Sequence, residues 1–290
     1  MSQTLHTPVM LEEVIHYLDP QPGEKFLDCT VGYGGHTLAL LSKGAKVTGI
    51  DQDVDMLELT QARITESGYA EQFIALRSPF ATALEGERLP LNHYAGILFD
   101  LGVSSYQLDT AGRGFSFRSE APLDMRMNPD LAVTARDLVN GLGKKELTHL
   151  FKTLGEEDAA LKIAEKIVDA RKVKPINTTT QLANLISKTV PGNGRIHPAT
   201  RVFQALRMAV NGEREELKSA LPLALTHLAP SGVLVVISFQ SLETTIVEDF
   251  FAQTKELSLL TPHPLTPSVA EIRRNPRSRS AKLHVGKRIA

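Results

Sequence analysis

Cysteine is almost missing from this chain of 290 residues, and Cys29 is the only one. A single thiol excludes an internal disulfide framework and a cysteine-based zinc site. Net charge is missing as well. The 32 Lys and Arg nearly balance the 33 Asp and Glu, leaving a formal charge of −1. Bulk attraction to a polyanion is therefore excluded, and any nucleic acid must be held by local basic patches. No apolar run approaches the ~20 residues that a membrane span needs. The opening Met1-Ser2-Gln3-Thr4-Leu5-His6 has neither the basic start nor the apolar stretch of a signal peptide, so the expected location is cytoplasmic. Repeats and low-complexity tracts are also lacking. What is present is core material. Hydrophobic residues make up 42% and charged residues 22%, which suits a folded chain rather than a disordered one. The length allows two modest domains or one domain with a large insertion.

Short apolar runs alternate with helical periods over the first hundred residues. Thr7 and Pro8 are expected to cap and start a helix with Val9, Leu11, Val14, Ile15 and Leu18 on its apolar face. Strands are expected at 25–28, 46–51, 73–77 and 95–101, with helices at 35–42 and 53–67 between them. The fourth strand, Ala-Gly-Ile-Leu-Phe-Asp-Leu, is nearly all apolar, as a strand buried on both faces should be. Such alternation predicts a parallel, doubly wound sheet. From Ser104 to about Ala229 the pattern turns helical, at 135–142, 144–153, 157–172, 179–189 and 198–228. The last of these falls in two pieces around Asn211-Gly212. A strong strand returns at 232–239. A helix at 242–255, which Ser241 can cap, and two weaker strands at 257–260 and 281–285 follow. The expected fold class is α/β: a Rossmann-like sheet from residues 1–105 and 230–290, with a mainly helical domain of residues 106–229 inserted.

Residues Asp28 to His36 read Asp-Cys-Thr-Val-Gly-Tyr-Gly-Gly-His, between the first strand and the next helix. Glycines at such a turn let backbone approach a ligand closely, and the helix that follows offers free N–H groups. Ligands of open parallel sheets sit at this edge. A dinucleotide asks for Gly-x-Gly-x-x-Gly, whereas Gly32, Gly34 and Gly35 are spaced Gly-x-Gly-Gly before His36. S-adenosylmethionine carries no phosphate, but it has an ammonium and a carboxylate. Asp28 suits the ammonium, directly or through water, and loop N–H groups suit the carboxylate. Asp51, ending the second strand, stands where an acid takes ribose hydroxyls. A glycine-rich turn that only connects two elements is the competing reading. Cys29 reads as a small packing residue.

Asp100 ends the fourth strand at the same edge. It can accept from a substrate amine or touch the cofactor; a carboxylate capping a neighbouring loop would occupy the same position. Phe80 is placed to pack on an adenine ring, and plain core packing suits it nearly as well. In the segment after Asp100, Arg113, Phe115, Phe117 and Arg118 alternate cations with rings, which suits phosphate contacts and base stacking. A loop fastened by Arg–Asp pairs, with the phenylalanines as anchors, fits equally. Arg195-Ile196-His197-Pro198 opens a helix on which Arg201 and Arg207 are either RNA contacts or ordinary solvated and paired side chains. His197 has no second ligand at metal spacing, so no metal site is expected. Seven cations between Arg273 and Arg288, with Arg277 and Arg279 among them, favour a polyanion contact over a merely solvated face.

Several stretches closely resemble one family, the bacterial 16S ribosomal RNA (cytosine-N4)-methyltransferases. They are His6-Thr7-Pro8-Val9, Gly32-Tyr33-Gly34-Gly35-His36, Asp100-Leu101-Gly102-Val103-Ser104-Ser105, Gly112-Arg113-Gly114-Phe115-Ser116-Phe117, Pro122-Leu123-Asp124-Met125-Arg126-Met127, His197-Pro198-Ala199-Thr200-Arg201 and Asn275-Pro276-Arg277-Ser278-Arg279-Ser280. They span nearly the whole chain in the family's order. The resemblance implies cofactor contacts from Gly34, Gly35, His36, Asp51, Phe80, Asp100 and Gln107, and a helical domain between sheet strands. It also implies methylation of N4 of a cytidine in the decoding region of small-subunit RNA. One stretch departs. Where the family usually reads Ser-Phe-His-Ser-Leu-Glu-Asp, this chain has Ser238-Phe239-Gln240-Ser241-Leu242-Glu243-Thr244. Gln240 can hydrogen-bond but is no acid or base near neutral pH.

A cytosine amine is a poor nucleophile because its lone pair is delocalised into the ring. Such an enzyme mainly has to align amine, methyl carbon and sulfur, exclude water and hold the base unstacked. Asp100 is the expected catalytic residue, near the amine. Two other functions stay open: methylation of a different target, and a weakly catalytic, cofactor-binding RNA scaffold in small-subunit assembly. The expected partner is 16S rRNA or the small ribosomal subunit, with no membrane; oligomeric state is open, a dimer included.

Overall fold

Each short apolar run of the first hundred residues is a strand in the computed structural model of the chain, which describes residues 7–110, 112–190 and 196–289. The opening residues 1–6, with His6, and Arg195 lie outside that description. The chain divides into two units, Met1–Gly102 with Arg214–Ala290, and Val103–Glu213.

The first unit starts with α1 (Leu11–Leu18), β1 (Lys25–Asp28), α2 (Gly35–Ser42), β2 (Lys46–Asp51) and α3 (Val54–Glu66). It continues with β3 (Phe73–Arg77), α4 (Phe80–Glu85) and β4 (Tyr94–Asp100). The second unit holds α5 (Ser105–Asp109), α6 (Ala135–Gly141), α7 (Lys144–Gly155), α8 (Ala160–Val173), α9 (Thr179–Thr189) and α10 (Thr200–Asn211). The chain then returns to the first unit with α11 (Glu213–His227), β5 (Leu228–Ser238), α12 (Ser241–Gln253), β6 (Leu257–Leu259), α13 (Val269–Arg274) and β7 (Lys282–Arg288).

The sheet has the order β3-β2-β1-β4-β5-β7-β6. Strands β1 to β5 pair in parallel, and β7 runs antiparallel to both β5 and β6. The expected parallel, doubly wound sheet is present, and at this edge it is extended by an antiparallel strand, which needs no crossover helix. Alternate residues serve opposite faces. Ile97 and Phe99 of β4 pack with Leu217 and Leu221 of α11 and Val247 of α12. Leu98 joins Val14 and Leu18 of α1 and Leu40 and Leu41 of α2. Gly96 permits this closeness, since a Cβ there would lie 2.6 Å from Leu18 Cδ2.

Three local expectations change. The helix 213–227 buries Leu217, Ala220, Leu221 and Ala224 in the sheet core, so the boundary expected at 229 falls near 213. Periodicity shows that a helix has an apolar face, not which core the face covers. Helix α1 begins at Leu11, not at Pro8: Met10 is left-handed (φ 52°), and its N–H donates to Glu271 Oε1 at 2.7 Å. Thr7 and Pro8 instead form a strap, with the Thr7 carbonyl accepting from Asn275 Nδ2 at 3.1 Å. Helix α12 is capped without Ser241: Gln240 is its N-cap, and Glu243 Oε2 accepts the Phe239 N–H at 2.9 Å.

The helical unit has its own core of Phe151, Ile163, Leu182, Ile186, Val202 and Leu206. Helices α7 and α10 touch at Gly155, where a Cβ would lie 2.7 Å from the Arg201 carbonyl. Among the described residues, no helix is long and apolar enough to cross a membrane.

Candidate active site

Three aspartates end three adjacent strands: Asp51 on β2, Asp28 on β1 and Asp100 on β4. The chain winds from β1 out to β3, then crosses back to the other side of β1. The carboxyl edge between β1 and β4 is thus a switch point of the strand order, where open sheets leave a crevice.

The loop between β1 and α2 is held from four directions. Asp28 Oδ1 accepts the Thr30 N–H at 3.2 Å, and Asp28 Oδ2 accepts the Thr37 hydroxyl at 2.7 Å. Asp51 Oδ2 accepts the Gly32 N–H at 3.0 Å, and Asp51 Oδ1 accepts the Asp53 N–H at 2.9 Å. From α3, the Thr60 hydroxyl donates to the Gly32 carbonyl, and Arg63 Nη1 donates to the Tyr33 carbonyl at 2.7 Å. The Arg63 guanidinium lies 4.7 Å from the Tyr33 ring centroid. From the N-terminal side, Pro8 packs on Gly35. Gly34 is left-handed (φ 75°), and a Cβ there would meet Thr60 Cγ2 at 2.8 Å. This is more bracing than a turn that only connects two elements requires.

The bracing alters two expectations. Asp28 is fully buried and spends both oxygens on the loop, so it fixes the loop's shape. Burial raises its carboxyl above the usual range, against the Thr37 hydroxyl and the nearby His36. The Gly32 and Thr30 amides are likewise engaged, whereas among the described residues no side chain caps the N-terminus of α2. Asp51 is half-buried. Burial pushes its pKa up to about 7, with repulsion from Asp53 and Asp28 adding to the rise, against the Asp53 and Gly32 amides. Burial also raises the Cys29 thiol well above its usual value, as befits a packing residue.

Asp100 and His36 face each other across this loop. His36 Nε2 lies 3.5 Å from Asp100 Oδ2, while the Asp100 N–H donates to Thr30 Oγ1 at 2.6 Å. Four side-chain atoms of this edge are buried with no hydrogen-bond partner among the described residues: His36 Nδ1 and Nε2, Asp100 Oδ1 and Gln240 Oε1. Buried polar groups are normally satisfied, so the adjoining orphans of His36 and Asp100, with a further one at Gln240 past the end of the next strand, mark an edge where a ligand can complete the bonding. Phe80 is half-buried and meets Phe99 edge-on, with ring centroids 5.5 Å apart.

Gln107 belongs to the other unit. Its Oε1 accepts the Ser104 N–H at 3.0 Å, and its own N–H donates to Ser104 Oγ at 3.1 Å, a capping box that starts α5. The side chain of Ser105 lies outside the described residues.

The arginine–aromatic segment is a fastened loop. Arg113 Nη2 donates to the carbonyls of Arg126 (3.1 Å) and Met127 (3.0 Å). Arg126 pairs with Asp124 through two nitrogens at 2.8 Å each and holds the Pro129 and Leu131 carbonyls. Phe115 is 7% exposed, inside the helical core. Phe117 stacks on His197 at 4.5 Å and meets Phe203 edge-on at 4.9 Å. Base stacking by Phe115 is thereby corrected to core packing, and phosphate contact by Arg113 to loop fastening. Arg118 remains exposed. Arg201 Nη1 donates to the Glu156 carbonyl at 3.0 Å and sits 3.8 Å from Asp158. Arg207 forms a two-pronged pair with Glu213 at 2.7 and 2.8 Å, so it is a paired residue.

The basic C-terminal stretch is folded, not a tail. Arg273, Arg274, Arg277 and Arg279 are exposed on α13 and the 3-10 turn after it. Arg288 instead donates to Asn92 Oδ1 and the Leu228 carbonyl, which removes it from the patch. Among the described residues, no group of three His, Cys, Asp or Glu side chains could hold a metal.

Sequence reasoning missed Thr30, Thr37, Thr60, Arg63 and Glu243. The only signal was the three-residue spacing of Thr60 and Arg63, which puts them on one face of a helix.

A sheet with this strand order, a braced glycine loop and acids ending β1, β2 and β4 has the architecture expected of an S-adenosylmethionine-dependent methyltransferase, and the family match shows that class. The chain belongs to the MraW methylase family, whose model matches residues 3–289. Curated relatives named ribosomal RNA small subunit methyltransferase H include proteins from a Synechococcus strain, Heliobacterium mobile and Deinococcus radiodurans. The first is 49% identical, covering 98% of this chain and 92% of the relative. The second is 44% identical, covering 98% and 99%. The third is 44% identical, covering 98% and 90%.

Proposed function

We propose that the chain transfers a methyl group from S-adenosylmethionine to N4 of a cytidine in the decoding region of small-subunit ribosomal RNA, in the cytoplasm. The observation that carries this reading is Asp100 Oδ1, a buried acceptor without a partner among the described residues, beside the braced glycine loop. The relatives' activity on small-subunit RNA supports the choice of substrate.

The residues present fit the cofactor by their donor and acceptor chemistry. Asp51 is an acceptor for ribose hydroxyls at the end of β2. The uncapped N-terminus of α2 suits a carboxylate. The half-exposed Phe80 ring suits adenine, and Asp28, Gly32, Gly34 and Gly35 give the loop its shape. When bound, the cofactor supplies an electrophilic methyl on a sulfonium. Asp100 accepts an amine N–H and so turns the nitrogen lone pair away from itself. Its carboxylate can also accept the proton that the amine gives up when the methyl replaces it. The fixed loop positions the reactants, which is the main work of such an enzyme.

RNA is held by the exposed cations Arg118, Arg277 and Arg279, with Arg201 at the start of α10. The helical unit serves substrate recognition and the sheet unit holds the cofactor. Methyl-transfer assays on small-subunit particles and on naked RNA, with mass mapping of the product, test the reading. One added methyl on a cytidine amine is expected. A methyl at a ring carbon, at a ribose or on protein alone would overturn it.

A further inference from the structure

Gln240 is the last residue before α12, beyond the end of β5, and β5 is the neighbour of β4 in the sheet. The Leu101 N–H donates to the Ile237 carbonyl at 3.0 Å, so the segments leaving the two strands start side by side. The Gln240 amide is fixed at one end only. Its Nε2 donates to Glu243 Oε1 at 2.8 Å, and the other Glu243 oxygen takes the Phe239 N–H at 2.9 Å. The remaining atom, Gln240 Oε1, is buried with no hydrogen-bond partner among the described residues. The other orphan oxygen at this edge is Asp100 Oδ1. One buried acceptor thus ends β4 and another lies two residues past the end of the neighbouring β5, both without a donor among the described residues.

We infer that Gln240 is a specificity-determining residue: its Oε1 and Asp100 Oδ1 each accept one hydrogen of the target base's exocyclic amine. The inference rests on the proposed RNA substrate and deepens it. An amine has two N–H bonds and satisfies two acceptors. A carbonyl at the same ring position, as in uracil, has none and would leave both oxygens buried without a donor. Sites built around such bonds reject the analogue that lacks them far more strongly than apolar pockets reject a shape. With both hydrogens held, the nitrogen lone pair has one direction left, toward the methyl donor. The methylated product keeps a single N–H and satisfies only one of the two oxygens, which favours its release.

The pairing also accounts for the departure at position 240. Glu243 accepts from Gln240, so whatever stands there must donate to Glu243 and accept from the substrate. A glutamine amide does both at any pH. A neutral imidazole does both through its two nitrogens, but an imidazolium has no acceptor left. The titratable group in contact with Gln240 is Glu243 on α12; Asp100 ends β4, the strand beside β5, and pairs with His36 of α2. Only a histidine introduced at 240 would add a new titration there.

The test uses the full chain and small-subunit RNA with the methylated cytidine, first located by mass mapping, kept or replaced by uridine. Binding of the two RNAs and kcat/KM on the cytidine form are measured for the wild type, Gln240→Leu and Gln240→His. Cofactor affinity and melting temperature serve as controls. The expected result is that Gln240→Leu loses about tenfold of the cytidine-over-uridine preference with cofactor affinity unchanged, the melting temperature falling only by the lost bond to Glu243. Gln240→His keeps the preference at pH 8 and loses it below about pH 6.5, a limb the wild type lacks. A Gln240→Leu protein that discriminates as the wild type does overturns the inference. So does a Gln240→His protein whose pH profile matches the wild type, the outcome that decides if the leucine variant does not fold. A wild type that methylates no small-subunit RNA overturns the functional reading itself, and the inference with it.

Discussion

Pro8 and Gly35 are packed so closely that a Cβ on Gly35 would lie 2.5 Å from Pro8 Cγ. The N-terminal strap thus lies directly on the start of α2, and the strap is itself tied to Glu271 and Asn275 near the C-terminus. Gly35→Ala should displace either the strap or the helix start. A stability loss of about 1–3 kcal/mol, typical of overpacking, is expected together with weaker cofactor binding. Denaturant titration and calorimetry with S-adenosylmethionine check both; unchanged cofactor affinity would separate the strap from the loop.

Asp51 makes stability and cofactor affinity run in opposite directions with pH. Its folded pKa of about 7 lies above the reference value of 3.8. Folding therefore favours the protonated form. That contribution is full below about 3.8 and is lost as pH rises through about 7. The ionised form is the better acceptor for ribose hydroxyls, so cofactor affinity should fall as pH drops from 8 to 6. Asp51→Asn should flatten the stability profile between pH 5 and 8 and weaken cofactor binding at pH 8. A variant with the wild-type pH profile for both would exclude Asp51 as the titrating group.

Asp100→Ala should abolish methyl transfer, by at least ~10²-fold in kcat, the scale of one lost acid–base or positioning group. The fold should survive, because the tie between β4 and the loop runs through the Asp100 backbone N–H and Thr30. Single-turnover kinetics with circular dichroism on the same sample check this. Near-normal turnover would remove Asp100 from the chemistry.

Phe115→Ala tests where the arginine–aromatic loop acts. Phe115 is buried in the helical core, so truncation should cost about 3–5 kcal/mol of stability. A stable variant with weakened RNA binding would restore the stacking role.

Arg279 is exposed on the turn after α13. If it contacts phosphate, Arg279→Gln should lower the log–log salt slope of RNA binding by roughly 0.7 to 1. An unchanged slope would mark the segment as solvated surface.

Much of the site was legible in the residues alone. Asp28 and Asp100 could be placed at strand ends because an apolar run stops where a charged residue meets a glycine turn, and Asp51 because its run gives way to the polar Gln52-Asp53 before a helical period. The same logic failed for Arg113 and Phe115. A cation and a ring next to glycines look alike whether they meet RNA or their own loop, and only the carbonyls of Arg126 and Met127 decide between them. Thr60 and Arg63 were invisible for a related reason: their partners, Gly32 and Tyr33, lie about thirty residues away.

The sequence by itself determined the α/β class, the cofactor loop and the edge of the sheet where chemistry occurs, because these follow from periodicity and turn chemistry along neighbouring residues. The tertiary structure alone decided which unit owns α11, that β7 inserts antiparallel, and that Asp100 at the end of β4 and Gln240 just past the end of β5 each keep a buried oxygen without a donor among the described residues. Those features depend on which distant groups are satisfied by burial and hydrogen bonding. No local pattern in the chain records that.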